Sequence, residues 1–345
     1  MEKQRVYWID LCKGLGIFLV LVEHTMMNNV STFIQAFNMP MFFFLSGIVF
    51  NEKKHINFGI FFKGRINQLV IPYFFFYLLT WVLWLTVERN FRSFDMQWWE
   101  PLLGMIYASQ WHGYMDHNGI LWFLPCLFIV EVLNFFVLRI KPKYVQYIVV
   151  LFLLVLGMII PINLPWCLNT ACVALSFYYL GHLLKEILLT PGQTVLKQEK
   201  SVKWHILLLL LFSAVFFSVE GITKNSALMI GRVYGNPVVY FVAAISGVLM
   251  MVFLGKVLSP NNKLLTSALK GILYLGKNTL LIFALHAFFL RILRYGFEKI
   301  LLVTDYDTNL LWALLMDLII VLILCPLIPL YNKFRDRILS KAYLK

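Results

Sequence analysis

The chain has 345 residues, of which 61% are hydrophobic and only 14% are charged, and its formal net charge is +13. A soluble protein carries about 25% charged residues, so this composition excludes a soluble multidomain protein and indicates a polytopic membrane protein. The positive charge is better explained by Lys and Arg retained in cytoplasmic loops than by binding to nucleic acid.

Apolar stretches along the chain predict ten membrane-spanning helices. Their approximate bounds are 8–27, 33–50, 66–87, 120–138, 144–161, 165–184, 204–220, 237–257, 272–292 and 309–330. When Lys256 and Arg291, at the ends of spans, are counted with the adjoining loops, 21 of the 30 Lys and Arg residues lie on the side of the membrane that holds the N-terminus and 7 lie on the other side. Lys13 and Lys277 lie within spans. Cytoplasmic loops are rich in positive charge, so both termini are expected to be cytoplasmic. The predicted fold is all-α: a polytopic membrane helical bundle of about ten transmembrane helices, one domain over 1–345 with its core at 5–335.

The first apolar run is expected to remain in the protein as a membrane helix. The first alanine is Ala36, so no small-residue cleavage site follows that run. All five cysteines lie in apolar stretches, which is typical of buried small side chains and implies no disulfide framework.

The first predicted span carries charged side chains at positions that share one face. At about 100° per residue, Asp10, Lys13 and His24 lie on one stripe of the helix, and Glu23 lies about 100° away from His24. The stripe places Lys13 near one membrane surface and His24 about 16 Å deeper. Charged groups inside a membrane are costly and usually mark function.

These four side chains have a functional and a structural interpretation. His24 suits a general base or a nucleophile for acyl transfer, or it packs against a neighbouring helix. Lys13 either binds an anionic cofactor from the cytoplasm or forms a neutral pair with Asp10, three residues away. Glu23 either orients a catalytic partner or closes a polar channel.

Basic residues precede the third span at the predicted inner surface. Lys63 and Arg65 either anchor the helix by the positive-inside rule or bind phosphate, for which the Arg fork is well shaped. In the second span, Ser46 and Gly47 indicate close helix packing and not a nucleophile.

The longest predicted outer loop, 88–119, is rich in aromatic residues. Trp111 in this loop and Trp122 after it either anchor the interface or form a surface for a sugar face. His112, Asp116 and His117 match no zinc-binding spacing, so no metal is predicted.

The ninth span is interrupted by a polar run that begins at Gly276. Asn278 is a plausible N-cap for a helix starting at Thr279, and that helix carries a second membrane histidine, His286. Broken helices at membrane depth are tolerated where protein or water satisfies the backbone, so this break is a candidate site feature.

Taken together, these segments resemble the acyltransferase 3 family of integral-membrane acyltransferases, close to its fucose O-acetylase-like branch. The resemblance covers about residues 5–335. The matching motifs are Lys13 with His24, Phe42–Gly47, Arg65–Tyr73, Trp122–Leu124, Gly276–Leu280 and Leu285–His286. Two positions depart from the family pattern: Lys13 stands where Arg is usual, and Gln68 replaces a second arginine, which puts a strong phosphate site in doubt.

The resemblance implies an acyl-CoA-dependent O-acyltransferase of the bacterial cytoplasmic membrane. It would move an acyl group, usually acetyl from cytoplasmic acetyl-CoA, to a hydroxyl of a cell-surface polysaccharide or lipid-linked sugar, with His24 essential. The other candidates are Asp10, Glu23 and His286 for catalysis, Lys13, Arg65 and Lys63 for the donor, and Trp122, Trp111 and Asn278 for the acceptor. The lipid bilayer is an expected partner, nucleic acid is not, and the sequence leaves a homo-oligomer open.

Two other classes of function fit parts of the sequence. Buried charges and a broken ninth span also suit a transporter or flippase of a lipid-linked sugar, although no inverted repeat is visible. A non-catalytic partner in polysaccharide assembly would bind no acyl-CoA and would tolerate replacement of His24.

Overall fold

Helices are the main secondary structure in a computed structural model that describes residues 6–26, 28–52, 56–91, 96–109, 113–189, 195–223, 227–259, 267 and 269–343. The helices are α1 (Tyr7–Thr25), α2 (Asn29–Val49), α3 (Phe58–Arg65), α4 (Ile71–Thr86), α5 (Glu100–Tyr107), α6 (Phe123–Val137), α7 (Lys143–Ile159), α8 (Leu168–Leu189), α9 (Val195–Thr223), α10 (Pro237–Leu258), α11 (Lys270–Lys277), α12 (Thr279–Lys299), α13 (Leu310–Leu324) and α14 (Leu327–Tyr343). The predicted all-α class is confirmed.

Fewer helices meet the criteria of length and apolarity for a membrane span than the ten spans that the sequence predicts. Within the described residues, seven helical segments are long and apolar enough to cross a membrane, or eight if α13 and the start of α14, bent by 46°, form one span. The other two predicted spans are helical but less suited to crossing: α1 carries three charged side chains, and α7 has 17 residues, about 26 Å of helix. The count of ten and the orientation of the termini stay predictions.

Two predicted spans have different bounds in the structure. The third is a continuous helical segment over Phe58–Asn90, in which a π-helical stretch at Ile66–Val70 joins α3 to α4. The ninth is broken at Asn278 as predicted, but its membrane-length helix is α12, which continues to Lys299 instead of ending at 292. The extension matters because it makes Arg294 a helical residue and places Arg291 well inside the helix instead of at its end.

The chain forms two compact units, each with its own interior. The first unit comprises 1–23, 28–50 and 176–279, and the second comprises 24–27, 51–175 and 280–345. In the first unit, α10 packs against α2 and α9, around a buried apolar core that includes Trp8, Phe37 and Phe216. The boundary between the units falls inside α1, between Glu23 and His24.

Glycines bring α2 and α8 into close contact in the first unit. A Cβ atom on Gly47 would lie 1.9 Å from the Tyr178 carbonyl oxygen, and one on Gly181 would lie 2.1 Å from the Phe44 carbonyl oxygen. The two backbones therefore approach more closely than any side chain at these positions would allow, as the small residues of the second span predict.

We expect Gly47→Ala to destabilise the protein by at least about 1–3 kcal/mol, since the added methyl group meets rigid backbone. Thermal unfolding of the protein in detergent measures the loss. The matched control is Gly64→Ala, because no atom lies within 4 Å of a Cβ built there. Equal stability of the two variants would contradict the close contact.

In the second unit, the short helix α5 lies against α4. The Tyr77 hydroxyl donates to the Pro101 carbonyl oxygen at 2.8 Å, and the Tyr73 hydroxyl donates to that of Met105 at 3.0 Å. These hydrogen bonds hold the part of the aromatic loop that forms α5 against the membrane helices.

Candidate functional site

A buried polar network in the second unit begins at the C-terminal end of α1. The Arg294 Nη2 group donates to the carbonyl oxygens of His24 at 2.6 Å and Thr25 at 3.3 Å. The last carbonyl groups of a helix have no partner within the helix, and a cation there is favoured by the helix dipole. The Thr25 hydroxyl also donates to the fully buried Asp317 carboxyl at 2.6 Å. The backbone that carries His24 is therefore fixed to α12 and α13.

The two predicted membrane histidines lie side by side. The ring centroids of His24 and His286 are 5.2 Å apart, with the ring planes at 85°. His24 is half-buried, and His286 is completely buried. Two residues that are 262 positions apart in sequence are thus in contact. His24 is the first residue of α1 that belongs to the second unit.

Hydrogen bonding fixes the tautomer of His286. Its Nδ1 atom lies 2.8 Å from the Phe283 carbonyl oxygen and 3.1 Å from that of Ile282. Carbonyl oxygens only accept, so we assign the hydrogen of the neutral ring to Nδ1 and the lone pair to Nε2. Nε2 is buried and has no hydrogen-bond partner among the described residues. A neutral His286 can therefore accept a hydrogen bond or a proton there, but it cannot donate one.

The helix that carries His286, α12, also carries one partner of a buried ion pair, Arg291. Arg291 donates to both carboxylate oxygens of Glu88, at 2.7 and 2.8 Å, and to the His117 carbonyl oxygen at 2.6 Å. The Glu88 residue is fully buried. This bidentate pair connects the end of the third span, the aromatic loop and α12.

Asn118 joins the loop to the backbone of α12 close to His286. Its side-chain amide donates to the Thr80 hydroxyl at 3.2 Å and to the Ala284 carbonyl oxygen at 3.0 Å. Ala284 precedes His286 by two residues, so this contact helps to set the height of the histidine relative to the loop.

His117, in the loop before Asn118, is buried among aromatic side chains. Its ring lies 4.5 Å from that of Tyr77 and 6.3 Å from that of Trp84. Burial lowers the pKa of His117 to about 3, and the nearby positive charge of Arg291 acts in the same direction. His117 is therefore neutral at physiological pH.

We expect stability to fall as the pH drops from 6.5 towards 3, because unfolding lets His117 take up a proton that the folded protein excludes. The loss between pH 7 and pH 5 is about 2 kcal/mol for this group. Thermal unfolding at both pH values measures it. In His117→Gln the difference between the two pH values should shrink by that amount, and an unchanged difference would contradict the assignment.

The other candidate catalytic residues, Asp10 and Glu23, belong to the first unit. The Asn38 side chain hydrogen-bonds the Glu23 carboxyl and also donates to the Gly16 carbonyl oxygen at 3.3 Å, which ties α1 to α2. One Asp10 oxygen is buried without a hydrogen-bond partner among the described residues. Lys13 is half-buried in the same unit, and its predicted pairing with Asp10 stays a prediction.

The two residues near the third span that are predicted to bind the acyl donor differ in their exposure and contacts. Arg65 forms an ion pair with Glu131 of α6 at 3.0 Å, just before the π-helical stretch, whereas Lys63 is exposed. π-helical turns are frequent at functional sites. The Arg65 charge is partly compensated by Glu131, which the sequence reasoning did not anticipate.

The described acceptor-binding candidates, Trp122 and Asn278, belong to different units. Trp122 is 4% exposed, in a 3₁₀ turn before α6, and its ring packs 6.2 Å from that of Phe123. Asn278, in the first unit, donates to the Tyr274 carbonyl oxygen at 2.9 Å. Trp111 and His112 lie outside the described residues. Their roles stay predictions.

Sequence reasoning missed several members of the network. These are Thr25, Glu88, Arg291, Arg294 and Asp317. Asp317 carried the clearest signal, since an acidic residue inside an apolar span usually marks a buried polar contact. The two arginines were assigned to the end of a span and the loop after it, because the helix was predicted to end at 292.

Comparison with known proteins gives one match. A family model described as an acyltransferase domain, that of the acyltransferase 3 family, covers residues 6–328. No curated protein and no solved structure matches the chain. The match extends over nearly the whole chain, including both histidines and the polar network around them, and several apolar helices of membrane-spanning length lie within it. The protein is therefore an integral-membrane acyltransferase that belongs to the acyltransferase 3 family.

Proposed function

We propose that the protein is an O-acyltransferase of the bacterial cytoplasmic membrane, close to the fucose O-acetylase-like branch of its family. It transfers an acetyl group from cytoplasmic acetyl-CoA to a hydroxyl of a cell-surface polysaccharide or a lipid-linked sugar. Both termini are cytoplasmic in this proposal, in agreement with the distribution of Lys and Arg.

The observation that carries the proposal is the contact between half-buried His24 and buried His286. His24 removes the proton from the acceptor hydroxyl, whose oxygen then attacks the thioester carbonyl carbon. The carbon–sulfur bond then breaks. His24 returns the proton to the sulfur, and CoA leaves as the thiol. The base needs a lone pair, a fixed backbone and a partner for its second nitrogen, and the contacts at the end of α1 supply the backbone restraint.

His286 is the partner for that second nitrogen. Because its Nε2 carries a lone pair and its ring is 5.2 Å from that of His24, we expect the His24 ring to reorient and donate its N–H to Nε2, while the His286 ring stays bonded to the Phe283 carbonyl oxygen. A hydrogen bond there holds the other His24 nitrogen as the base. The same tautomer disfavours a role for His286 as a donor to the thioester oxygen.

The donor is assigned to the basic residues that the sequence indicates. Lys13, Lys63 and Arg65 are each proposed to contribute to binding the phosphates of acyl-CoA. Arg65 would exchange part of its contact with Glu131 for phosphate, so its contribution is expected to be smaller than that of an arginine without an acidic partner.

Radiolabelled acetyl-CoA tests the proposal with the purified protein in lipid nanodiscs. We expect saturable binding of the label and slow release of acetate without an acceptor, both competed by unlabelled acetyl-CoA. Succinyl-CoA and palmitoyl-CoA, offered in the same assay, define the acyl group. Absence of binding with every donor would overturn the proposal and favour a transporter or an assembly partner.

A further inference from the structure

A pocket of about 280 Å³ lies in the second unit, and one of its lining residues, Arg294, contacts the backbone of His24. Its size is at the lower end for small-molecule sites, which suits one compact group and not a long chain. The residues that line it come from the aromatic loop, α12 and the segment after α12. They are Phe91, Arg291, Arg294, Tyr295, Glu298 and Tyr306.

The aromatic part of the pocket is preformed. The rings of Phe91 and Tyr295 are 4.9 Å apart, and Tyr295 remains 40% exposed. Tyr306 is nearly buried, and its ring lies 5.6 Å from the Arg294 guanidinium. Its hydroxyl donates to Glu298. Burial, together with the bond to that carboxylate, raises the pKa of Tyr306 to about 12, so the hydroxyl keeps its hydrogen.

The charges in the pocket are close to balanced. Arg291 is neutralised by its bidentate pair with Glu88, and the second arginine, Arg294, faces a pocket that also contains the Glu298 carboxylate. A phosphate or carboxylate ligand would be repelled by that carboxylate, and an apolar tail would desolvate Arg294 and Glu298 without adding a hydrogen bond to either. An uncharged polyhydroxyl group satisfies both requirements.

Arg294 connects the pocket to the reaction centre. The same guanidinium that lines the pocket donates to the His24 carbonyl oxygen at 2.6 Å. A group held in the pocket is therefore next to the end of α1, which the predicted topology places at the outer side of the membrane.

We propose that this pocket is the acceptor subsite and that it binds one uncharged sugar residue, with the ring stacked on Tyr295 and the hydroxyl groups bonded to Glu298 and Arg294. This inference rests on the proposed O-acyltransferase function and specifies its substrate. Sugar rings present C–H faces to aromatic rings, and their hydroxyl groups both donate and accept hydrogen bonds, which matches a carboxylate beside a guanidinium.

The test uses saturation-transfer NMR on the full-length protein in nanodiscs. The probes are methyl glycosides of glucose, galactose and fucose, with methyl glucuronide and inorganic phosphate as charged comparisons. We expect the neutral glycosides to bind and Tyr295→Ala to weaken them about tenfold, while Tyr295→Phe keeps the stacking and most of the affinity. Tyr144→Ala, which removes a tyrosine that is 63% exposed on α7, is the matched control and should change nothing.

Binding of labelled acetyl-CoA, measured on the same samples, separates the two proposals. Donor binding without glycoside binding, or glycoside binding unaffected by Tyr295→Ala, would overturn the subsite and leave the acyltransferase proposal standing. Tighter binding of glucuronide or phosphate would also overturn it. Glycoside binding that depends on Tyr295, without any binding of acetyl-CoA, would count against the proposed acyl transfer and would leave the pocket as a sugar-binding site.

Discussion

His24→Ala is expected to lower acyl transfer by about 10²–10⁴-fold while the protein stays folded. This is the usual contribution of a positioned general base. Release of labelled acetate from acetyl-CoA by the protein in nanodiscs measures the rate. Donor binding should change little, because the side chain acts on the acceptor proton.

The matched control for this variant is His205→Ala on α9. His205 is also a half-buried histidine of an apolar helix, but it packs against Phe253 in the first unit and has no place in the network. Its replacement should leave the rate within about twofold of wild type. Near-wild-type turnover in His24→Ala would refute the assignment of the base, and a labelled covalent adduct on His24 would replace direct transfer by an acyl-enzyme route.

The sequence was sufficient to find the two histidines but not their contact. Each was visible because an ionisable residue in an apolar run is costly, and the break at Asn278 marked the start of the helix that carries the second one. Their proximity depends on how α1 and α12 pack. A local sequence pattern cannot predict a contact between residues so far apart in sequence. Family membership was predicted from a set of short motifs in a fixed order, and the comparison with known families confirms it.

Other features depended on helix length and could not be predicted. Hydropathy placed the end of the ninth span near the first arginine, since a charge is a normal end signal for an apolar run. The helix continues because Arg291 finds Glu88 inside the protein and Arg294 finds the carbonyl groups at the end of α1. Long-range partners thus decide whether a charged residue ends a membrane helix or continues it. The burial of Trp122 could not be predicted either, because the sequence pattern of an aromatic residue near the membrane interface is the same whether its side chain is exposed or buried.

Replacing either member of the Arg291–Glu88 pair should destabilise the protein by about 3–5 kcal/mol. Each single change, Arg291→Met or Glu88→Gln, removes one partner of a buried bidentate pair. Arg291→Met leaves the carboxylate without its cation, and Glu88→Gln leaves the guanidinium without its anion. Unfolding in detergent, followed by intrinsic fluorescence, measures the free energy of each variant. The effect extends to the site, because Arg291 also holds the His117 carbonyl oxygen and lines the pocket.

The double variant, Arg291→Met with Glu88→Gln, distinguishes the pair from two independent contacts. It removes both charges at once, so no buried charge is left without a partner, and its loss of stability should be much smaller than the sum of the two single losses. Strict additivity would mean that the two side chains act separately, against the geometry. A stable double variant with reduced acyl transfer would show that this ion pair is retained for its position beside the reaction centre, where its guanidinium orders the loop, and not for the stability of the fold.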